Sequence, residues 1–271
     1  MQNELKTAIQ FDDFYAAFRS QGVVAMAWWL GALHADRIRA EHHSFPLLHI
    51  EGRPGCGKTF LLSYLWKLIG QEEFRAFAPE YATPAGRARA LPRTNQPVIV
   101  LESEPNPEST FDWDELRDLY NGGTIHRAHS PGVEAHHFHG ALVIISSQPI
   151  QCSTNLESRI TRVRLGTAHT IEGLFGANAL RELSAEKAGV FGLAAYQHQE
   201  QVLSTFNKLS PAYTAALTKE RAGLCPRAAK NGGQLMALVD ALSLMLGLTN
   251  EQRVTALGAV KLILDDVFPP L

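Results

Sequence analysis

The chain has 271 residues, of which 45% are hydrophobic and 19% are charged, and its net charge is −2 at pH 7. These values are ordinary for a soluble globular protein, and the length suffices for one large α/β domain with a helical appendage. They exclude binding to nucleic acid through overall charge, so any such binding requires a local basic surface.

The first 44 residues predict a helical segment. The apolar stretch from Val23 to Leu33 is too short to span a bilayer and predicts a buried helix. Aromatic residues recur at helical spacing, first at Phe11, Phe14, Tyr15 and Phe18 and then, in a second helical stretch, at Trp28 and Trp29.

Residues 45–168 predict a core of parallel strands separated by helices. One helix follows the first strand and ends at Gly70, a second has Thr83 as its N-cap and Pro84 in its first turn, and a third covers about residues 112–120. Three continuous apolar runs have the composition of strands covered on both faces: Leu47–Glu51, Val98–Glu102 and Ala141–Ser146.

Residues 169–271 predict an all-α subdomain. Thr249 and Gln252 have the spacing of a capping box for a last helix that reaches Val267. Leucine and valine recur at three- and four-residue steps as one core-facing stripe, at Leu235, Leu238, Val239, Leu242 and Leu246. The predicted fold class is therefore α/β, with N-terminal helices, a parallel-sheet core and a helical C-terminal subdomain.

The segment Gly52–Thr59 matches G-x-x-x-x-G-K-[ST] without a mismatch. A strand before it and a helix after it provide the context that makes this pattern a phosphate-binding loop, or P-loop. Lys58 is expected to reach the β and γ oxygens, and the Thr59 hydroxyl to ligate Mg²⁺. The sequence thus predicts a P-loop NTPase that binds ATP and Mg²⁺. The predicted nucleotide-binding residues are Gly52, Pro54, Gly55, Cys56, Gly57, Lys58, Thr59 and Phe60.

Hydrolysis also requires acids, a polar sensor and a positive group near the γ-phosphate. The second strand ends in Glu102-Ser103-Glu104, a Walker B element with Glu102 at the metal position; either Glu102 or Glu104 is the catalytic acid. Gln148, or else Ser147, follows the third strand and can contact the attacking water or the γ-phosphate.

Two arginines after this third strand are candidates for the positive group. Arg159 is the first choice for a finger that reaches a neighbouring subunit's nucleotide, and Arg162 is the second. The alternation Arg162-Val163-Arg164 also fits an exposed edge strand.

The order of these motifs resembles the helicase part of phage and plasmid primase–helicases. These form a branch of the superfamily 3 helicases, which have an AAA+-type core. The resemblance implies an AAA+-like fold, a homo-oligomer, most simply a hexamer, that hydrolyses ATP between subunits, and helicase activity in the replication of a mobile element. A primase or another replication protein is an implied partner. The segments that carry the resemblance are Gly52–Thr59, Val98–Glu104, Asn121–Ile125, Gly140–Gln148 and Arg159–Ile160.

Residues 124–139 predict a β-hairpin with a Pro131-Gly132 turn. In the resembled helicases an insertion at this place grips single-stranded DNA in the ring's pore. Histidine and arginine can bind phosphates and stack on bases, although a metal site or a solvated hairpin remain alternatives. The candidate DNA contacts are Arg127, His129, His136 and His137.

Three cysteines, Cys56, Cys152 and Cys225, show no C-x-x-C spacing, which favours a reducing compartment. We therefore expect a cytoplasmic protein without a membrane partner. An alternative to the motor is a module that uses ATP as a switch to load a partner onto DNA. A small-molecule kinase leaves the arginine and the hairpin unexplained.

Overall fold

The three apolar runs form the centre of a five-stranded parallel sheet, as predicted. The computed structural model describes residues 2–90, 97–103, 106, 108–129, 132–167 and 170–267, without the side chains at 88–90, 125–129, 132–136 and 267. The strands are β1 (Leu47–Glu51), β2 (Ala76–Phe77), β3 (Val98–Ser103), β6 (Ala141–Ser146) and β7 (Ile160–Arg164). Their order is β2-β3-β6-β1-β7, so β6 separates β1 from β3.

The predicted hairpin forms a separate antiparallel pair. Its strands are β4 (Thr124–His129) and β5 (Gly132–His137), with Thr124 opposite His137.

Within the described residues, three α-helices and two 3₁₀ helices connect the core strands. The α-helices are α4 (Lys58–Lys67), α5 (Pro84–Ala90) and α6 (Thr154–Glu157), and the 3₁₀ helices are Pro79–Tyr81 and Trp113–Asn121. The predicted start of α5 is confirmed, because the Gly86 amide donates to the Thr83 hydroxyl at 3.1 Å.

The N-terminal helices are part of the same hydrophobic core as the sheet. They are α1 (Gln2–Ala8), α2 (Phe11–Ala32) and α3 (Ala35–His42). Helix α2 kinks at Arg19 (φ 50°, ψ −148°), which separates its two aromatic stretches. Trp28 and Trp29 are fully buried, and Trp29 meets Trp66 of α4 edge to face at 5.4 Å.

The C-terminal part is helical, as predicted. Its helices are α7 (Ile171–Glu182), α8 (Ala185–Ala188), α9 (Val190–Gln197), α10 (Gln199–Glu220), α11 (Pro226–Leu246) and α12 (Asn250–Val267). The capping box is confirmed, since Thr249 and Gln252 exchange hydrogen bonds of 3.0 and 3.1 Å. In the described part of the chain, no helix combines the length and apolarity needed to cross a bilayer.

Close packing of α10 against α11 depends on Gly233. A Cβ added there would lie 2.7 Å from the Thr214 amide nitrogen and 2.8 Å from the Ser210 carbonyl oxygen. We expect Gly233→Ala to lower the free energy of unfolding by about 1–3 kcal/mol. Gly258→Ala in α12 is the matched control, because a Cβ there meets nothing within 4 Å; it should stabilise the helix by about 0.5–1 kcal/mol. Urea denaturation measures both, and equal midpoints would contradict the packing argument.

Candidate active site

The carboxyl ends of three neighbouring strands lie level with one another. Glu51 of β1 pairs with Ser146 of β6, which pairs with Ser103 of β3. The phosphate loop directly follows Glu51, the sensor segment directly follows Ser146, and Glu102 directly precedes Ser103. Ligands of open parallel sheets bind at this edge, so the register brings the predicted motifs to one place.

The phosphate loop requires glycine at its first and last turns. A Cβ on Gly52 would lie 2.5 Å from the Leu165 carbonyl oxygen and 2.6 Å from the Cys56 Sγ. Gly57, which precedes α4, has a φ of 95°, a left-handed conformation that strains other residues. The loop therefore folds tightly and leads into the start of a helix, where anions bind favourably.

Lys58 lies at the mouth of this loop. Its ammonium donates hydrogen bonds to the carbonyl oxygens of Gly52 (2.5 Å) and Arg53 (3.3 Å). The Phe60 ring, by contrast, packs on Phe18 at 5.8 Å and lies beneath the Arg181 guanidinium at 5.6 Å. Of these two side chains, the Lys58 ammonium is the one that can neutralise phosphate charge.

A cleft of about 660 Å³ lies at this edge of the sheet, within the size range of ligand sites. Lys58 and Thr59 line one side, and Glu102 lies on the Walker B strand. The hydroxyl of Thr59 and the carboxylate of Glu102 are oxygen ligands of the kind Mg²⁺ prefers. The cleft is lined by Lys58, Thr59, Glu80, Glu102, Ser103, Asn106, Ser109, Phe111, Trp113, Ile145, Ser146, Ser147, Gln148, Pro149, Ile150 and Gln151.

Glu80 is a cleft carboxylate that the sequence did not predict. The Ser103 hydroxyl donates to its Oε1 at 2.8 Å, and the Asn106 amide donates to its backbone carbonyl at 3.1 Å. These bonds hold the 3₁₀ turn after β2 against the end of β3. Because β2 has only two residues, no hydrophobic periodicity in the sequence predicts this strand or the position of Glu80 beside β3.

A buried histidine holds the sensor segment in place. The Ser146 hydroxyl donates to the Gln148 carbonyl at 2.5 Å, so its oxygen accepts a hydrogen bond from the His49 Nε2–H group, 2.6 Å away. Burial, together with the charges of Arg162 and Arg164, lowers the pKa of His49 to about 3. A neutral imidazole in the β1 strand therefore fixes the backbone at Gln148.

We expect the low pKa of His49 to make the protein less stable at acidic pH. The unfolded chain protonates this histidine below pH 6.5, whereas the folded protein does so only near pH 3. Stability is therefore lost as the pH falls between these values. Relative to the unfolding free energy of His49→Gln, that of the wild type should fall by about 2 kcal/mol from pH 7 to pH 5. A constant difference in urea denaturation would contradict a neutral buried His49.

Arg159 and the cleft lie at opposite ends of the strands. Arg159 is at the amino ends, and the cleft is at the carboxyl ends. Arg159 precedes β7, whose first residue pairs with Leu47, whereas the phosphate loop follows Glu51 at the other end of β1. Five strand residues span roughly 16 Å, which exceeds the reach of an arginine side chain. Arg159 is therefore too far from the cleft of its own chain to bind a nucleotide there.

The structure separates the two candidate arginines by their partners. Arg159 donates to the Asn155 carbonyl oxygen at 2.7 Å and lies 5.6 Å from the centre of the Tyr120 ring. Arg162 is buried and ion-paired with Glu157 at 2.9 Å. The alternative reading of an edge strand agrees with the position of β7 at the end of the sheet; on this strand Arg162 is buried and Arg164 is exposed.

Several predicted site residues lie beyond the described side chains. Glu104 is outside the described residues, as are the side chains of Arg127, His129 and His136. His137 is exposed, and its ring is 3.4 Å from the Thr124 hydroxyl and 5.6 Å from the His139 ring. His139 in turn contacts Asp36 at 3.0 Å.

Solved structures of other proteins resemble this chain to different degrees. The "SCCmec type IV Cch - active helicase" matches 95% of this chain with a TM-score of 0.66 and 15% sequence identity, and the chain spans 51% of that helicase's length. A candidate ATPase from Cytophaga hutchinsonii ATCC 33406 matches 99% of this chain and 98% of its own, at 13% identity and a TM-score of 0.41. The match to the JCV helicase, in complex with a thiazolopyridinyl acetamide compound, covers 97% of this chain and 73% of the helicase chain. Its sequence identity is 13% and its TM-score is 0.34.

The last two likenesses are too weak to carry an argument. No protein-family model and no curated protein matches the chain. The likeness to the Cch helicase and the order of the parallel strands together establish the fold. The chain has an α/β P-loop NTPase core of the AAA+ type, with helices before and after it.

Proposed function

We propose that the chain is an ATP hydrolase of the DNA-helicase type. The observation that carries this proposal is the convergence of Lys58, Thr59, Glu102 and Gln148 on one cleft. A phosphate loop, an acid and a polar sensor at a common edge are the parts that phosphoryl transfer to water requires.

In the proposed reaction, a water molecule attacks the γ-phosphorus, the bond to the β–γ bridging oxygen breaks, and ADP leaves. Lys58 neutralises the β and γ oxygens, and Gln148, or else Ser147, orients the water. Glu102, or else Glu104, accepts the proton that the water loses. Mg²⁺ held by Thr59 and Glu102 would supply further neutralisation of phosphate charge.

The site is completed by a second copy of the chain. Arg159 is too far from its own cleft, so its guanidinium serves the γ-phosphate bound by a neighbour. Such a contact joins two different surfaces, and repetition of a head-to-tail contact gives a ring when the rotation between copies closes. A hexamer is the ring that the resemblance to superfamily 3 helicases favours.

Single-stranded DNA is the proposed partner of the hairpin formed by β4 and β5. Its Arg127, His129, His136 and His137 provide donors for phosphates and rings for base stacking. We place this activity in the cytoplasmic replication of a phage or plasmid, with a primase or other replication protein as a partner. The Cch helicase, which has a similar fold, supports the helicase class.

The direct test is ATP hydrolysis with and without single-stranded DNA. A motor should hydrolyse ATP cooperatively and be stimulated by DNA. Tight ATP binding with negligible turnover, unchanged by DNA, would instead support a switch that loads a partner. A strand-displacement assay on a forked duplex then separates translocation from hydrolysis alone.

Glu102→Gln should still bind ATP, because the amide oxygen can remain a ligand for Mg²⁺, and it should lower turnover by about 100-fold, because the amide cannot accept the proton. The matched variant is Glu104→Gln, which leaves the cleft acid Glu102 intact. Steady-state phosphate release and binding of a fluorescent ATP analogue measure the two effects. A larger loss for Glu104→Gln would transfer the catalytic role from Glu102 to Glu104.

A further inference from the structure

Two arginine side chains converge on one asparagine near the start of β7. Arg159 Nη1 donates to Asn155 Oδ1, and Arg227 Nη1 approaches the same oxygen at 3.3 Å. Arg227 belongs to the first turn of α11 and also donates to the Ser158 hydroxyl at 2.8 Å. The helical C-terminal part thus places a second guanidinium beside the predicted finger.

Neither guanidinium is ion-paired with a described carboxylate. Asp118 acts on Arg159 from nearby but is paired with Arg117 at 3.3 Å. Arg159 is 9% exposed, and its Nε has no hydrogen-bond partner among the described residues. Burial, followed by the positive charge of Arg227, lowers the pKa of Arg159. Two adjacent guanidinium groups without a paired carboxylate in the described part of the chain favour an anion beside them.

Buried polar contacts hold this pair rigidly. The Tyr120 hydroxyl donates to Asn231 Oδ1 at 2.7 Å, and the Asn231 amide donates to the Ser158 carbonyl at 2.9 Å. Tyr120 and Asn231 are 2% and 3% exposed. The Tyr120 ring also supports Arg159. These contacts fasten α11 to the segment before β7, so the two arginines are positioned before any ligand arrives.

We propose that Arg227 acts with Arg159 as a second catalytic arginine, and that both bind the terminal phosphate of a nucleotide held in the cleft of a neighbouring copy. This inference rests on the proposed function. Its basis is that Arg227 lies beside Arg159, at the amino ends of the strands, whereas the cleft of its own chain lies at their carboxyl ends. It assigns a role in hydrolysis to the C-terminal helices.

The test compares ATP turnover of wild type, Arg227→Ala, Arg227→Gln and Arg227→Lys. Glutamine retains a donor for Ser158 without the charge, so it keeps α11 in place if alanine unfolds the protein. We expect Ala and Gln each to lower kcat by about 100-fold, with melting temperature preserved in Gln, and Lys to recover part of the rate. Arg37→Ala is the control, since Arg37 forms an ion pair with Glu200 away from the site. Wild-type turnover in Arg227→Gln would overturn the proposal.

Mixing variants decides in which subunit Arg227 acts. Lys58→Ala subunits keep both arginines, and Arg227→Gln subunits keep the phosphate loop, so about one quarter of randomly mixed interfaces contain both. Recovery of turnover supports action across the interface. No recovery, when a mixture of Lys58→Ala with Arg159→Ala does recover, would overturn the role of Arg227 alone. If neither mixture recovers, the proposed shared site fails as well.

Discussion

Lys58→Ala is expected to lower ATP turnover by at least about 100-fold. The Lys58 ammonium lies at the mouth of the phosphate loop, bonded to the Gly52 carbonyl, and lines the cleft that also contains Glu102. Alanine removes the side-chain cation that this loop supplies to the β and γ oxygens. Nucleotide affinity should fall about 10-fold or more, because a charged hydrogen bond contributes about 1.5–3 kcal/mol.

Lys67→Ala is the control for this prediction. Lys67 is at the other end of α4, where its ammonium donates to the carbonyl oxygens of Leu180 (3.5 Å) and Arg181 (3.2 Å). Phosphate release and titration with a fluorescent ATP analogue should show normal values for this variant. Equal losses in Lys58→Ala and Lys67→Ala would indicate a general disturbance of α4 rather than a phosphate contact.

Arg159→Ala is expected to lower kcat by about 1,000-fold, the lower end of the contribution of arginine fingers. ATP binding should persist, because Arg159 lies at the amino ends of the strands, whereas the cleft of its own chain lies at their carboxyl ends. This separation of kcat from binding distinguishes a finger from a residue that holds the cleft together. Single-turnover hydrolysis and equilibrium binding measure the two quantities.

Conservative variants test which arginine acts. Arg159→Lys should remain nearly inactive, because lysine lacks the planar fork that binds phosphate at two points. Arg162→Lys should retain activity, since a lysine can still pair with Glu157. The opposite ranking would assign the finger to Arg162.

The strands and their motifs could be predicted because their signals are local. Leu47–Glu51 and Ala141–Ser146 are continuous apolar runs, and both are strands with these bounds. The cap at Thr83 and the capping box at Thr249 are likewise set by neighbours in sequence. Each of these features depends on residues within a few positions of one another.

The features that were missed depend on contacts between distant segments. His49 contacts Ser146, 97 positions away, only because β1 and β6 are paired in register. Glu80 enters the cleft through a bond to Ser103, and Arg227 reaches Ser158 from 69 positions away. No local pattern encodes such approaches, so only the folded chain reveals them.

The most direct test of the central claim is ATP hydrolysis by an equimolar mixture of Lys58→Ala and Arg159→Ala. Each variant alone lacks one half of every site. In the mixture, an intact loop from one chain can meet an intact Arg159 from the other, so activity should return to about one quarter of the wild-type rate if subunits mix at random. A mixture as inactive as its components, with mixed assembly shown by differently tagged subunits, would contradict a site shared between copies.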